Sequence, residues 1–599
     1  MNSILQMKKV AEAFFSSPRF ILYLLLLVAL FTSGYLNLGY MIDDYTHKWY
    51  FSQEHPAGTI PNLFNFIDGN IAHNQDKIHQ GIFPWWTSSE LKISFFRPIS
   101  SISHWLDHSL WSDSPFTMHA HSIALYIVYI FLLNVFFHSF LESTVLANIS
   151  TFIFALDESR AMPVGWLSNR NSIIGSIFGI LTLYFLHKSR KVKPYYLLIS
   201  YIFFPLALLS AESSVGIVFY LFAYFLCMEE KPFLKRLISY LPYLFIFIGW
   251  LGYYKSNGFG SYGSSFYTDP AKETLTFLGN TLHYLPYYIN GLFGYPPSEF
   301  RFILSFNAER FFYICASIYT LFMIFLFKYQ WKEKINRFFI VGCTLSFLPL
   351  FGVSPDNRHF MLPGIGGSVI LASFILSNID KKLLSVQKVV AVYFILLHIV
   401  FAPFLLAFNS VYLKTLKAKT DNLRNGIPTS NEKTVICLTG NAFYTGERGT
   451  IRAIAEGKKN PPRVYVISSA FQGLTIKVVN DKTILLRQEG GFLLDPSKTV
   501  KSGKILNPNG ALQLLDFQYR NLKQFPIPLG YKVDYSDYSL AVSEIDPLTQ
   551  LPSEIKITLA YSLKSDKYLF MVYQNERYNE FPFPEEGKEV FVPAEEFKL

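Results

Sequence analysis

Apolar runs of bilayer length recur about eleven times in the first 409 residues, and this recurrence restricts the fold more than any other feature of the chain. The runs lie near 20–40, 119–139, 145–156, 170–187, 195–211, 213–228, 236–254, 308–327, 337–353, 360–378 and 389–409. A helix of about twenty apolar residues reaches across the hydrocarbon core of a bilayer. Inside that core every peptide group needs a partner within the chain, so such runs fold as helices and not as open strands. Only 16% of the residues are charged and 51% are hydrophobic, against about a quarter charged in an ordinary soluble protein. The fold class read from this pattern is a polytopic α-helical membrane protein.

The net charge of +10 fits either nucleic-acid binding or basic loops at a membrane, and the placement of the cations decides. They cluster after even-numbered runs: Lys188, Arg190, Lys191 and Lys193; Lys231, Lys235 and Arg236; Lys328, Lys332, Lys334 and Arg337; Lys381, Lys382 and Lys388. The alternate short loops hold little beyond Arg160, Arg170 and Arg358. A cytoplasmic N-terminus satisfies the positive-inside rule, and no single basic face is left for nucleic acid. Lys8 and Lys9 precede a first run that reads as an uncleaved anchor. Four scattered cysteines, Cys227, Cys315, Cys343 and Cys437, form neither a disulfide framework nor a metal-ligand spacing.

An odd number of spans puts the C-terminus on the external side, together with residues 41–118, a large first loop. Residues 1–409 are thus expected to form the membrane domain and 410–599 a soluble external domain, α/β or β-rich. Alternating stretches such as Arg463–Ile467, Leu474–Val479 and Glu554–Leu559 read as half-buried strands. Gly446-Glu447-Arg448-Gly449 and Gly490-Gly491 read as loop punctuation. In the first loop, Pro84-Trp85-Trp86 and Trp105-Leu106-Asp107 predict short helices lying in the interfacial layer, which aromatic side chains favour.

Polar residues that could carry chemistry gather at span ends on the external side. Asp43 and Asp44 follow the first run, where an acid can face water and exchange protons. Arg97 offers a planar fork suited to phosphate. Asp157, Glu158, Arg160 and Arg170 flank the start of the fourth run, Glu212 stands between the fifth and sixth, and Arg358 and His359 precede the tenth. A transport path would need polar groups near the midplane, whereas these lie at one boundary. The pattern points to group transfer from a lipid phosphate to an acceptor hydroxyl, with a carboxylate as base and cations on the leaving phosphate.

Several motifs in order resemble the bacterial GT-C glycosyltransferases: Asp43-Asp44; Phe96-Arg97-Pro98-Ile99-Ser100 with Trp105-Leu106-Asp107; Phe154-Ala155-Leu156 leading to Val164-Gly165-Trp166-Leu167-Ser168-Asn169-Arg170; Leu208–Ser213; and Asn357–Pro363. The resemblance covers about 40–375 and is nearest to the membrane region of tetratricopeptide-containing O-mannosyltransferases. It implies an inner-membrane enzyme, inversion at the sugar carbon, and a polyprenyl-phosphate sugar as donor. It implies a base at Asp43 or Asp44, and work without a resident metal, although the two acids could ligate a divalent ion. The acceptor would be a protein, lipid or glycan. Asp157-Glu158 stands where the family tends to have His-Pro, and Ala211-Glu212 where it has Lys-Glu; no tetratricopeptide array follows. A lipid-linked-saccharide flippase and a non-catalytic scaffold are the alternatives, and neither requires a base at one face.

Overall fold

The computed structural model describes residues 10, 12–51, 60–112, 114–304, 306–382, 385–429, 432–469, 472–493 and 515–595. Lys8 and Lys9, read above as the start of an anchor, lie outside them. Among the described residues, seven helices are long and apolar enough to cross a membrane: Phe20–Asn37, Pro115–Phe140, Leu167–Lys191, Phe233–Ser256, Asn307–Lys332, Lys334–Gly352 and Val386–Asn422. Four shorter apolar helices, Thr144–Ala155, Tyr196–Leu208, Glu212–Cys227 and Pro363–Asn378, take up the remaining apolar runs in sequence order. The chain is a multi-pass helical membrane protein with a strand-rich C-terminal region.

Local chemistry fixes where these helices begin. Ser114 accepts from the Thr117 N–H ahead of Pro115, and Ser143 accepts from that of Leu146. A hydroxyl at the N-cap satisfies an amide that the helix leaves free, and proline fits the first turn because it has no amide to lose. Polar groups inside the bundle pair with one another between the second and third apolar helices: the Asn134 amide donates to Asn148 Oδ1 at 3.1 Å and to Thr151 Oγ1 at 3.0 Å.

Two elements depart from the sequence reading. The last membrane helix runs on to Asn422, 37 residues in all, or about 55 Å at 1.5 Å per residue, so the boundary expected at 409 falls within it. A further helix, Thr274–Phe293, follows the seventh apolar run in sequence, packs against the helix of the eighth and buries Tyr287, Tyr288 and Asn290. Its alternating apolar and polar residues hide it from a search for continuous apolar length.

The first loop forms a scaffold of its own. Strands Asn65–Asp68 and Lys92–Ser94 pair antiparallel, and Lys92–Ser94 pairs in turn with Gly260–Tyr262 from the loop after the seventh run. Trp85 and Trp86 do not lie in the interfacial layer as expected; each is 1% exposed. Their indole N–H groups donate to the carbonyls of Ile467 at 2.9 Å and Asp516 at 3.1 Å. Buried tryptophan needs a partner for its one polar atom, and the C-terminal region supplies it. Ile67, Ile78, Phe83, Trp85 and Trp86 accordingly share one hydrophobic core with Val435, Leu474, Ile484 and Ile555.

That C-terminal region holds two sheets. Six antiparallel strands run in the order 589–592, 474–480, 483–487, 552–559, 538–545, 532–534, which includes two of the stretches read as strands. The second sheet has the order 577–580, 568–574, 434–437, 464–466, with its last three strands parallel. Parallel neighbours cannot be joined by a tight hairpin and need a crossover. Here the crossover is a π-helical turn, Ala442–Glu447, followed by the helix Arg448–Ala455. Gly446-Glu447-Arg448-Gly449 is therefore the start of a helix and not loop punctuation.

Candidate active site

Asp43 and Asp44 open the helix Asp43–Phe51, where the positive end of the helix dipole favours carboxylates. The residue before them, Ile42, has φ 37°, a conformation rare for a β-branched side chain and often found beside functional groups. The two acids then part. Asp44 turns inward and is buried: Oδ1 accepts from the Ser168 N–H at 2.8 Å and the Ser168 hydroxyl at 2.6 Å, and Oδ2 from the Met41 N–H at 2.8 Å. Burial pushes its carboxyl up to about 7 against the pull of these three donors. Asp43 stays partly open and meets Arg448 Nη2 of the crossover helix at 2.6 Å.

Arg448 is held from several sides. It donates to Thr46 Oγ1 at 2.7 Å, contacts Glu447 at 3.2 Å and lies over the Phe443 ring. Glu447 in turn accepts from the Tyr519 hydroxyl at 2.7 Å. The C-terminal region therefore reaches the acid pair directly, through a residue that the sequence reading passed over.

Arg97 donates from Nε to Glu212 Oε2 at 2.6 Å and lies against Phe64 and Phe95. The other Glu212 oxygen accepts from the Phe96 N–H at 3.1 Å, so this lone acid pins the first loop to the bundle. Arg358 sits over the Trp166 ring, and its Nε lies 3.2 Å from Asp356 Oδ2 as an ion pair without hydrogen-bond alignment. His359 Nδ1 lies 3.3 Å from the Tyr288 hydroxyl, and burial beside Arg358 pulls its pKa down to about 4. Its imidazole is uncharged at neutral pH and can offer a hydrogen bond but not a charge.

Tyr267 lies within the fields of Arg358, Asp43, Arg97 and Glu212 at once, and burial raises its pKa. Its ring packs on Phe95, and its backbone bridges to Val353. The charges of four residues singled out in the sequence thus act on one tyrosine that no sequence signal marked.

The other candidates form a neighbouring network. Asp157 Oδ1 accepts from the Ser159 backbone N–H and hydroxyl, and Oδ2 lies 3.3 Å from His398 Nδ1. Loss of water around the half-buried Asp157 works against its ionised form, but His398 and Arg160 hold its carboxyl below the usual range. Glu158 is pushed the other way, first by burial and then by Asp157 and Glu299. Asn357 joins this acid pair to the loop: its amide donates to Glu158 Oε1 at 2.9 Å, and its backbone N–H donates to Glu299 Oε2 at 3.0 Å. Glu299 is raised to about 7 by burial and by Asp356. Arg160 packs over the Phe154 ring and donates to the Phe154 carbonyl at 3.2 Å.

Arg170 stands apart. It is fully buried, bonded to Asp107 at 2.5 Å, Ser122 at 2.8 Å, Ser103 at 3.1 Å and the Met118 carbonyl at 2.7 Å. Every direction of its guanidinium that these bonds occupy faces protein, which makes it a tie between the first loop and the fourth span. Among the described residues no three His, Cys, Asp or Glu side chains gather as a metal-ligand set.

No family model matches the sequence, and no curated protein matches it. Loose likenesses occur among solved structures. The oligosaccharyltransferase of Archaeoglobus fulgidus tethered with an acceptor peptide is 13% identical, with a TM-score of 0.37 over 73% of this chain and 63% of that one. The archaeal oligosaccharyltransferase AglB from Archaeoglobus fulgidus, in complex with an inhibitory peptide and a dolichol-phosphate, is 12% identical with a TM-score of 0.36 over 75% and 65%. This chain spans less than two thirds of their length, and a likeness this loose equates no residue of one chain with a residue of the other.

Proposed function

We propose that the protein is a membrane glycosyltransferase of the GT-C kind that moves a sugar from a polyprenyl-phosphate donor to an acceptor hydroxyl at the external membrane surface. The observation that carries the reading is the acid pair that opens the helix Asp43–Phe51, with Asp44 bonded to Ser168 at the start of the fourth span and Asp43 paired with Arg448. Asp43 is the better base of the pair, because both oxygens of Asp44 are engaged by neighbouring donors. In a single displacement the acceptor oxygen bonds to the sugar's anomeric carbon as that carbon's bond to the phosphate oxygen breaks. The acceptor proton passes to the Asp43 carboxylate, and polyprenyl phosphate leaves.

Arg358 is a candidate cation for the phosphate and, like Arg97, already has a carboxylate partner, Asp356 at 3.2 Å from its Nε. Arg97 would have to share its fork with Glu212, and His359 would act as a neutral partner. The reading includes a bacterial inner-membrane location with the N-terminus in the cytoplasm. The basic loops of the sequence support that orientation.

The test uses purified full-length protein supplied with a panel of polyprenyl-phosphate sugars and acceptors, with release of polyprenyl phosphate as the readout. Loss of a base costs on the order of a hundredfold to ten-thousandfold in rate, and Asp43→Asn is expected to fall in that range. Transfer at the wild-type rate in both Asp43→Asn and Asp44→Asn would remove the acid pair from catalysis.

A further inference from the structure

A partly open cavity of about 60 Å3 lies where the chain after the first membrane helix, the end of the last membrane helix and the crossover helix meet. Lys417, Arg424, Arg448 and Arg452 line it, against one carboxylate, Asp421. Three of these cations are balanced. Lys417 and Arg452 share Asp421 at 2.8 and 2.6 Å, Arg452 also meets Glu456 at 2.8 Å, and Arg448 meets Asp43 and Glu447.

Arg424 has no carboxylate partner among the described residues; its Nη1 donates to the Gly449 carbonyl. Partial burial of this guanidinium away from a direct ion-pair partner is unfavourable, and burial, with Arg452 adding to it and Glu456 opposing it, pulls the Arg424 pKa down. The Nε of Arg448, on the same cavity, is also buried without a hydrogen-bond partner. A buried N–H of Arg448 with no partner and the Arg424 guanidinium, which has no direct ion pair, thus meet in one space.

The local sequence is built to keep Arg424 there. A Cβ on Gly449 would come within 2.4 Å of Arg424 Cδ and 2.6 Å of its Nε and Nη1, so the guanidinium can cross the start of this helix only over a glycine. The level of the cavity is informative too. Exposed apolar side chains on the last membrane helix continue through Phe404, Phe408, Val411 and Tyr412, and Leu416, one turn further, already lines the cavity. That is the depth at which hydrocarbon gives way to headgroups.

We propose that this cavity is a phosphate-binding site at the membrane surface, separate from Arg97, Arg358 and His359, with Arg424 as its principal ligand and Arg448 as its second. Planar guanidinium forks match phosphate oxygens in charge and in geometry. The phosphate belongs either to an anionic lipid headgroup or to a soluble phosphorylated molecule. The proposal does not depend on the transferase reading, since binding is its only claim.

The experiment measures the melting temperature of the full-length protein at constant ionic strength in two arms. One titrates glycerol phosphate into phosphatidylcholine nanodiscs; the other compares those nanodiscs with ones containing phosphatidylglycerol. Saturable stabilisation by glycerol phosphate assigns a soluble ligand, and stabilisation by phosphatidylglycerol alone assigns a headgroup. Arg424→Gln is expected to weaken the response about tenfold or more. Gly449→Ala keeps every charge but displaces the guanidinium, and should do the same if Arg424→Gln fails to fold. No stabilisation in either arm, or stabilisation that neither variant diminishes, overturns the proposal.

Discussion

Adjacent carboxylates of identical chemistry acquire different tasks from their surroundings. Asp44 is a structural acceptor for Ser168 and Met41, and Asp43 is the exposed member, in contact with Arg448. Asp44→Asn puts an amide against donor groups and leaves one of them unpaired, which is expected to cost about 1–3 kcal/mol of stability; thermal melts of the two Asn variants should show the larger loss for Asp44. Asp516 gives a pH signature. It is buried with Oδ2 unpartnered, and burial raises its carboxyl from 3.8 to about 8. The stability that its neutral form contributes is complete below the unfolded value of 3.8 and is lost as pH rises toward about 8. Asp516→Asn, which stays neutral, should flatten the fall of melting temperature over that window and be the more stable protein at its alkaline end.

At the scale of elements, the site is assembled by short 3-10 segments that interrupt the helices. Glu158–Arg160, Leu167–Arg170, Glu212–Val215, Ser298–Ile303 and Asn357–His359 each bring one candidate or its partner to the same end of the bundle. The Ser298 and Asn357 segments lock through the Asn357 Oδ1, which accepts from the Ser298 N–H at 3.0 Å and hydroxyl at 2.8 Å. Gly291 leaves room for this lock, because a Cβ there would lie 2.3 Å from both Asn357 Oδ1 and Ser298 Oγ. Gly291→Ala should therefore displace Arg358 along with Asn357. A cost of about 1–3 kcal/mol is expected from overpacking, together with a weakened apparent affinity for the lipid donor; unchanged donor affinity would separate the segment from the site.

On the scale of the whole molecule, the C-terminal region is part of the same core as the first loop and not a module on a tether. Arg520 donates to the carbonyls of Trp86 at 2.6 Å and Thr87 at 3.2 Å, and Tyr465 donates to that of His79 at 2.8 Å. Removing 410–599 would strip these partners and uncover Trp85 and Trp86, so the truncated chain should lose protection from protease and hydrogen exchange across 60–95. Trp86→Ala is a milder form of the same test, expected to cost about 3–5 kcal/mol. A truncated protein that kept both its first-loop protection and its transfer activity would show that the two regions are independent.

The sequence alone determined the membrane helices. Their signal is local, since the length and apolarity of one run are enough for hydrocarbon to select a helix, and each expected run has its helix in the fold. Alternation likewise marked the strands 474–480 and 552–559. The polar candidates were visible as residues, because charged groups at span ends stand out against an apolar background. Which of them meet was decided by tertiary structure. Arg448 reaches Asp43 from 405 positions downstream only because two parallel strands require a crossover helix, and that helix lands on the first loop. Tyr267, Glu299 and Arg424 have no local pattern to mark them. Burial and the charges brought beside them in the fold set their chemistry, and no window of sequence contains those neighbours.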